Sequence, residues 1–478
     1  MAGGIRIGTP TGRGVILAAG LGSGMAFLDG TVVNVALKRI GEDLDATLAE
    51  LQWISNGYML SLASLILLGG SLGDRFGRRR MFVIGTAWFA AASLLCGLAP
   101  NPEVLIVARV LQGIGGALLT PGSLAMIQGA FVANDRPQAI GAWTGIGSIA
   151  AAIGPFVGGG LVDYTTWRWI FLINLPLAAA TIWCAVRYVP ETRDPHASKH
   201  FDVAGGFLAT FALGALTYAL IQWGDPLASY AAVAAVLAAV GFVVVEMRDP
   251  EPMLRLDIFA DRTFSAANAM TFLVYAALGA ALFFVTLQLQ TVSGWGALAA
   301  GLASMPITIC MIFLSAKGGE IGARIGPRIP MTVGPIVMAA SCLMLLAIGD
   351  DVSFVTDVLP GMTVFGLGLA LMVAPLTATV LAAAPDEHAG IASGVNNALA
   401  RAGSLLAVAA LPVAVGLGGA DYEDPAVFND GYRMAMIACA VLLTLGGVVS
   451  WLTIRNKVLA EQEAEQHSHR ECDRGPYG

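Results

Sequence analysis

Charged residues are scarce in this sequence. Asp, Glu, Lys and Arg make up 12% of its 478 residues, about half the share found in a soluble domain. That shortage argues against a soluble multidomain enzyme and against a disordered chain. The net charge of −7 gives no general attraction for nucleic acid. Histidine (5) and cysteine (6) are few, and no CxxC pair occurs, so neither a disulfide scaffold nor a metal centre is indicated. Cys96, Cys184, Cys310, Cys342 and Cys439 read as small apolar residues in or near apolar runs, and Cys472 sits in a polar tail. Alternating segments of about ten residues, the mark of a membrane barrel, are missing as well. What remains is apolar: 56% of the chain, with 58 glycines besides and a mean hydropathy of +0.74. At about 20 residues per crossing, this supply supports on the order of a dozen membrane helices.

Apolar runs set against charged or Pro/Gly connectors predict fourteen helices. They start near residues 14, 52, 81, 103, 138, 169, 203, 229, 265, 298, 330, 356, 392 and 433. Each is about 19 to 26 residues long, enough for ~30 Å of hydrocarbon. The first run is too long for a signal-peptide core and reads as a retained span. With the N-terminus in the cytoplasm, the outer connectors hold only Lys38, Arg39, Arg168 and Arg433, and Arg109 and Arg401 fall inside spans. The rest of the 26 basic residues lie inside, which predicts cytoplasmic termini at both ends.

Two connectors share a spacing. Gly70 to Arg79 (GSLGDRFGRR) and Gly319 to Arg328 (GEIGARIGPR) both read G-x-[LI]-G-x-R-x-G-x-R, and Asp135 corresponds roughly to Asp386. Eight helices separate the copies, which implies six-helix halves with two helices inserted between them. The predicted organisation is a cytoplasmic N-terminus (1–13), an N-terminal six-helix bundle (14–190), a linker with two inserted helices (191–247), a C-terminal six-helix bundle (248–455) and a cytoplasmic tail (456–478). Parallel repeats of this kind are a transporter architecture with the substrate site between halves.

Several stretches are individually informative: LDGTVVNVAL (28–37), GSLGDRFGRRR (70–80), RVLQGIGG (109–116), GPFVGGG (154–160), WRWIFLINLP (167–176) and RTFSAAN (262–268). Through them the chain resembles the fourteen-helix drug:proton antiporter-2 branch of the major facilitator superfamily, over essentially residues 14 to 455. The resemblance implies the major facilitator fold, an all-α polytopic membrane protein, and a monomer. In the connector motif, Gly70 and Gly73 allow close helix approach and Gly77 suits a tight turn. The resemblance makes Asp74, Arg75 and Arg78 gating residues that latch the halves on the cytoplasmic side; the blander reading is that these arginines only fix topology. Ala323 replaces the aspartate in the second copy, so a latch rests on the first. Gly154, Pro155, Gly158 and Gly159 match the antiporter motif, with Ala150 where that family has glycine. Small residues here serve tight packing equally well.

Asp29 stands apart because every other carboxylate lies in a connector or at a span end. An intramembrane carboxylate is a functional candidate by default, and one whose cationic partner comes and goes exchanges a proton with each change of setting. Arg109 is the expected partner, about 9 Å deep against about 12 Å for Asp29. The alternatives are a static ion pair for Asp29 and snorkelling to the outer interface for Arg109. The resemblance places both in proton coupling, although Lys38 stands where that family has proline. Tyr58, Gln112, Gln288, Asn396, Asn397 and Arg401 are the candidates for lining a substrate cavity. Helix–helix hydrogen bonding is the competing role for the polar ones, and Arg401 reaches either the cavity or cytosolic water.

The expected function is proton-coupled antiport that exports amphipathic or cationic drugs or toxic metabolites by alternating access, a multidrug efflux activity conferring antibiotic resistance. It would run on the proton gradient without cofactor or metal, in the plasma membrane of a bacterium. A dedicated exporter of a lipid, siderophore or secondary metabolite is the alternative, followed by a non-transporting membrane sensor. No constellation for enzyme catalysis is present in the sequence.

Overall fold

The computed structural model describes residues 5–132, 135–193, 202–250, 252–384, 389–419 and 421–456. Asp386, Cys472 and tail residues 457–478 lie outside them. The helices are α1 (Pro10–Leu44), α2 (Leu48–Phe76), α3 (Arg78–Gly97), α4 (Pro102–Ala130), α5 (Arg136–Tyr164), α6 (Trp169–Leu172), α7 (Asn174–Tyr188), α8 (Val203–Ile221), α9 (Pro226–Arg248), α10 (Arg262–Thr291), α11 (Ala297–Leu302), α12 (Met305–Ile325), α13 (Arg328–Met344), α14 (Leu359–Ala382), α15 (Ala389–Ala414) and α16 (Pro425–Thr453). Among the described residues, thirteen helices are long and apolar enough to cross a membrane, with α6–α7 and α11–α12 counted once each. The 29-residue α5 stands beside them, packed along α1.

Caps explain where the helices begin. Thr9, Asn101, Asp225 and Asp424 each accept a bond from a first-turn amide and precede a proline, and Thr47 forms a capping box with Glu50. The predicted starts fall within about four residues of the observed ones except the last. There Asp424 starts α16 well before the apolar run. Helix α1 also outruns its apolar core, reaching 35 residues. Lys38 and Arg39 pair with Glu42, and Arg39 with Asp43, at one-turn spacing, which carries the helix to Asp45 in the left-handed region (φ 53°).

Duplication is visible in the packing. A Cβ on Gly69 would stand 2.0 Å from the Ala117 carbonyl oxygen, and one on Gly318 2.3 Å from that of Ala370. Both α2–α4 and α12–α14 thus pack backbone to backbone. The turns that follow repeat too, with Gly77 at φ 114° and Gly326 at φ 85°, as the motif requires of glycine. Gly69, not Gly70 or Gly73, makes the close approach: Gly70 has only the Pro121 side chain nearby and Gly73 has open space.

The halves join at the end carrying Lys38. Lys38 Nζ donates to the Gln290 carbonyl (2.7 Å), and Gln290 Nε2 to that of Val35 (2.9 Å). Gln52 donates to Val408 (2.7 Å), and Tyr422 OH to Ala46 (2.7 Å). Asp163 accepts from the amides of Ala297 and Leu298 at the start of α11 (3.0 and 2.8 Å). One continuous apolar core includes Val32, Leu37 and Leu51 with Ala277, Leu287 and Leu411 across this junction. At the Arg78 end, Val15, Met126, Ile127 and Cys184 form a separate core. Helices α2 and α15 run side by side, with Leu67 against Gly394. Helices α8 and α9 pair with each other, and α8 lies against both α2 and α15.

Candidate functional site

Asp29 is buried in the middle of α1, 1% exposed. Four helices converge on it. Arg109 of α4 donates through Nη1 to Asp29 Oδ2 at 2.5 Å. One turn along, Gln112 Nε2 donates to Asp29 Oδ1 at 2.8 Å, and Asn174 Nδ2 at the start of α7 donates to the same oxygen at 3.3 Å. Ser93 of α3 completes the ring, its hydroxyl accepting from Gln112 (2.7 Å) and Asn174 (3.2 Å). Both charges are thereby paired and bonded, which is what makes a buried ion pair tolerable.

Arg109 is held by more than the carboxylate. Its Nε donates to the Ile54 carbonyl (3.0 Å), and Nη1 also donates to Gln112 Oε1 (2.6 Å). The guanidinium stands over the rings of Tyr58 (4.5 Å) and Phe171 (5.7 Å), a favourable setting for a planar cation. It does not snorkel to an interface: it is 1% exposed. If Asp29 were protonated, Arg109 would still have a carbonyl, an amide oxygen and two aromatic faces around it.

The sequence paired Asp29 with Arg109, and the structure joins them. It moves Gln112 from the expected cavity lining into the first contacts of Asp29, because Gln112 lies one turn beyond Arg109 on the same face of α4. Tyr58 likewise lies beneath Arg109. Asn174 carried a signal as a polar residue within a span. Ser93 carried none, since serine is common in membrane helices.

A second feature lies between the halves, on the Arg78 side of their junction. A cavity of about 320 Å³ is bounded by Phe27, Met59, Tyr275, Asn396, Asn397 and Arg401 among others. Asn397 and Thr377 are exposed there. Arg401 thus faces the cavity, while Gln288 does not. Gln288 is buried in the C-terminal half, donating to Asn429 (2.6 Å) and the Ile348 carbonyl (3.2 Å). Tyr58 is buried beneath Arg109 and does not line this cavity.

The two motif regions have distinct surroundings. Asp74 pairs with Arg78 one turn away (2.8 Å), and Arg78 also reaches the Ala125 carbonyl (3.2 Å). Arg75 stands over the Phe76 ring. Arg79 is tied to Val189 and Glu191 at the end of α7. In this conformation Asp74 bonds to Arg78 within its own half. On α5, a Cβ at Gly154 would meet Thr31 Oγ1 at 2.3 Å and one at Gly158 would meet Val32 at 2.7 Å, both on α1. The opposite neighbour is α11: a Cβ at Gly159 would stand 2.4 Å from Leu298 Cα, and one at Gly301 2.6 Å from the Pro155 carbonyl oxygen. Ala150 fits because it faces Gly24, where an added Cβ would stand 3.1 Å from the Ala150 methyl. The motif therefore packs α5 between α1 and the other half. Lys38 keeps α1 helical where a proline is expected and links it to Gln290.

Comparison with known proteins places this geometry. A family model described as Major Facilitator Superfamily matches residues 19–408. The tetracenomycin C resistance and export protein of Streptomyces glaucescens is 36% identical over 403 residues, covering 83% of this chain and 75% of that protein. The methylenomycin A resistance protein of Bacillus subtilis (strain 168) is 34% identical over 455 residues, covering 92% and 94%. The multidrug resistance protein Stp of Mycobacterium tuberculosis (strain ATCC 25618 / H37Rv) is 37% identical over 404 residues, covering 83% and 74%. Among solved structures, a bacterial homolog of the human lysosomal transporter Spinster, inward-facing and unoccupied, superposes with a TM-score of 0.66 at 16% identity, over 95% of this chain and 98% of that one. That likeness is one of fold.

Proposed function

The chain belongs to the major facilitator superfamily, and from that premise we propose that it exports amphipathic drugs or toxic metabolites from a bacterial cell by proton-coupled antiport. The observation that carries this reading is the buried Asp29–Arg109 pair, wired by Gln112, Asn174 and Ser93 across four helices. We place the arginine-rich connectors in the cytoplasm and count α5 as a fourteenth span. The Lys38 end is then outermost, and the cavity of Arg401 opens inward.

On this reading the ion pair is the state reached after a proton has been released inside. When the Lys38 end opens, Asp29 takes a proton from outside and its bond to Arg109 weakens. Arg109 keeps its bonds to Ile54 and Gln112 and its place over Tyr58, so the exchange leaves no buried cation without partners. Closure at the Lys38 end, with Gly159 against α11, returns Asp29 to its bonded setting and expels the proton. Alternating between the two requires the Lys38 junction and the motif around Asp74 to make and break in turn. The names of the relatives, resistance proteins and exporters, support drug or metabolite cargo. The tetracenomycin C export protein gives specific support to the second reading, a dedicated metabolite exporter.

The test uses inverted membrane vesicles energised by a proton gradient and offered ethidium or 1-pyrenebutyrate. Wild type should accumulate at least one of them, and collapse of the gradient should stop it. Asp29→Asn should lose gradient-driven uptake yet still exchange cargo down its own gradient. Gradient-driven uptake by Asp29→Asn equal to wild type from about pH 6 to 8 would refute the coupling assignment.

A further inference from the structure

Proton coupling through Asp29 leaves Arg401 without a role. We propose that Arg401 anchors an anionic group of the cargo, so that the exported compounds are amphipathic organic acids: an apolar or aromatic body bearing a carboxylate. This rests on the export reading and narrows it.

The cavity's charge is the first reason. Among the described residues that line it, Arg401 is the only charged one, and none is acidic. The other intramembrane charge nearby, Asp29, is already bonded by Arg109, Gln112 and Asn174. A cation entering would meet an uncompensated like charge in surroundings that screen it poorly. The expected cationic cargo is therefore the class this cavity favours least.

The second reason is the state of the guanidinium. Its Nε is buried without a hydrogen-bond partner, and Nη1 faces the Met59 sulfur at 4.0 Å, a weak acceptor. Arg401 is half-buried, and a guanidinium left so sparsely bonded within the membrane span is costly unless something completes it. Neither Asn396 nor Ser404 accepts a bond from Arg401: Asn396 turns its amide to Asn268 (3.1 Å) and Thr271 (2.7 Å), and Ser404 donates to the Tyr275 carbonyl (2.8 Å). What Arg401 lacks is an acceptor with two oxygens, the shape its planar fork fits. The rest of the wall suits an apolar body, with the rings of Phe27 and Tyr275 beside the aliphatic Val380. At about 320 Å³ the space is at the lower end of small-molecule sites.

Equilibrium binding separates this from proton coupling, because it needs no gradient. Three probes share one pyrene body: 1-pyrenebutyrate, its methyl ester and 1-pyrenebutylamine. Purified full-length protein in detergent without added lipid should bind the acid about tenfold or more tightly than the ester or the amine. Arg401→Gln should erase that preference while ester binding and thermal stability hold, and Arg401→Lys should keep part of it. Two competitors separate sources of the same chemistry. Displacement of the acid by 2-naphthoate supports a cargo site. Displacement by anionic phospholipid but not by 2-naphthoate makes this a lipid site and overturns the proposal. Equal binding of acid and amine also overturns it, as does a preference that survives Arg401→Gln or wild-type binding of no probe better than that variant. Coupling through Asp29 would stand in each of those cases. Conversely, a failure of gradient-driven uptake would leave the acid preference intact.

Discussion

Replacing Gly159 with valine should stop the Lys38 end from closing. A Cβ there would lie 2.4 Å from Leu298 Cα, 2.7 Å from its amide nitrogen and 2.8 Å from the Ala297 carbonyl oxygen. These are backbone atoms and have no rotamer to escape into. Ordinary carbon contacts begin near ~3.5 Å, so α5 and α11 must part by about 1 Å or more. The bonds that the Ala297 and Leu298 amides donate to Asp163, 3.0 and 2.8 Å long, sit at the same crossing and would stretch out of range. Two bonds to a carboxylate, at about 1.5–3 kcal/mol each, amount to roughly 3–6 kcal/mol against the closed form. A shift of about 5.5 kcal/mol inverts a 99:1 population. Spin labels on Tyr164→Cys and Asp351→Cys, both exposed near this end, would report the change by pulsed distance measurement. The native cysteines among the described residues are buried, and Cys472→Ser removes the one in the tail. Gly159→Val should shift the distribution to longer distances, and Gly159→Ala should shift it less. Gly160→Val, where a Cβ meets open space, should not move it. Superimposable distributions for Gly159→Val and wild type would refute the assignment of this crossing to closure.

Other outcomes follow from the same distances. Gly69→Ala should lower the melting temperature in detergent by the equivalent of about 1–3 kcal/mol, because its Cβ meets the Ala117 carbonyl oxygen. Gly73→Ala, one turn away with open space around it, should match or exceed wild type. Arg109→Lys should lose gradient-driven uptake in the vesicle assay although the charge is kept, since an ammonium cannot reproduce the fork that holds Ile54, Asp29 and Gln112 together. Lys38→Met removes one interhalf bond, about 1 kcal/mol, and should raise the open population at that end roughly fivefold in the spin-label assay.

Much of the scaffold could be read from the residues because a bilayer penalises unbonded backbone so heavily that apolar runs must become helices. The start of α16 was missed because hydropathy marks where a helix enters lipid, not where Asp424 caps it. The Asp29–Arg109 pair was legible from scarcity: two charges at similar depth in an apolar chain have few other partners. Rotation about a helix axis is what the sequence conceals. Gln112 and Gln288 look alike as polar residues within spans, yet one bonds Asp29 and the other Asn429. Gly73 looked like a packing glycine because it recurs in the motif, whereas the contact belongs to Gly69, whose counterpart Gly318 lies just before the second copy of that motif.

The repeated glycine contacts carry a consequence for how the two halves divide their work. Gly115 faces α3 as Gly368 faces α13, and Ala117 meets α2 as Ala370 meets α12. The same register puts Met362 and Phe365 where the first half has Arg109 and Gln112, and both are buried. The scaffold was copied and the polar chemistry was not. On the proposed reading the proton is held in one half and the cargo at Arg401 of the other, so the two passengers would have separate seats and need not evict each other. Exchange would then be enforced by the hinge between the halves, and a variant that loosens the hinge while sparing both seats should leak protons and cargo independently.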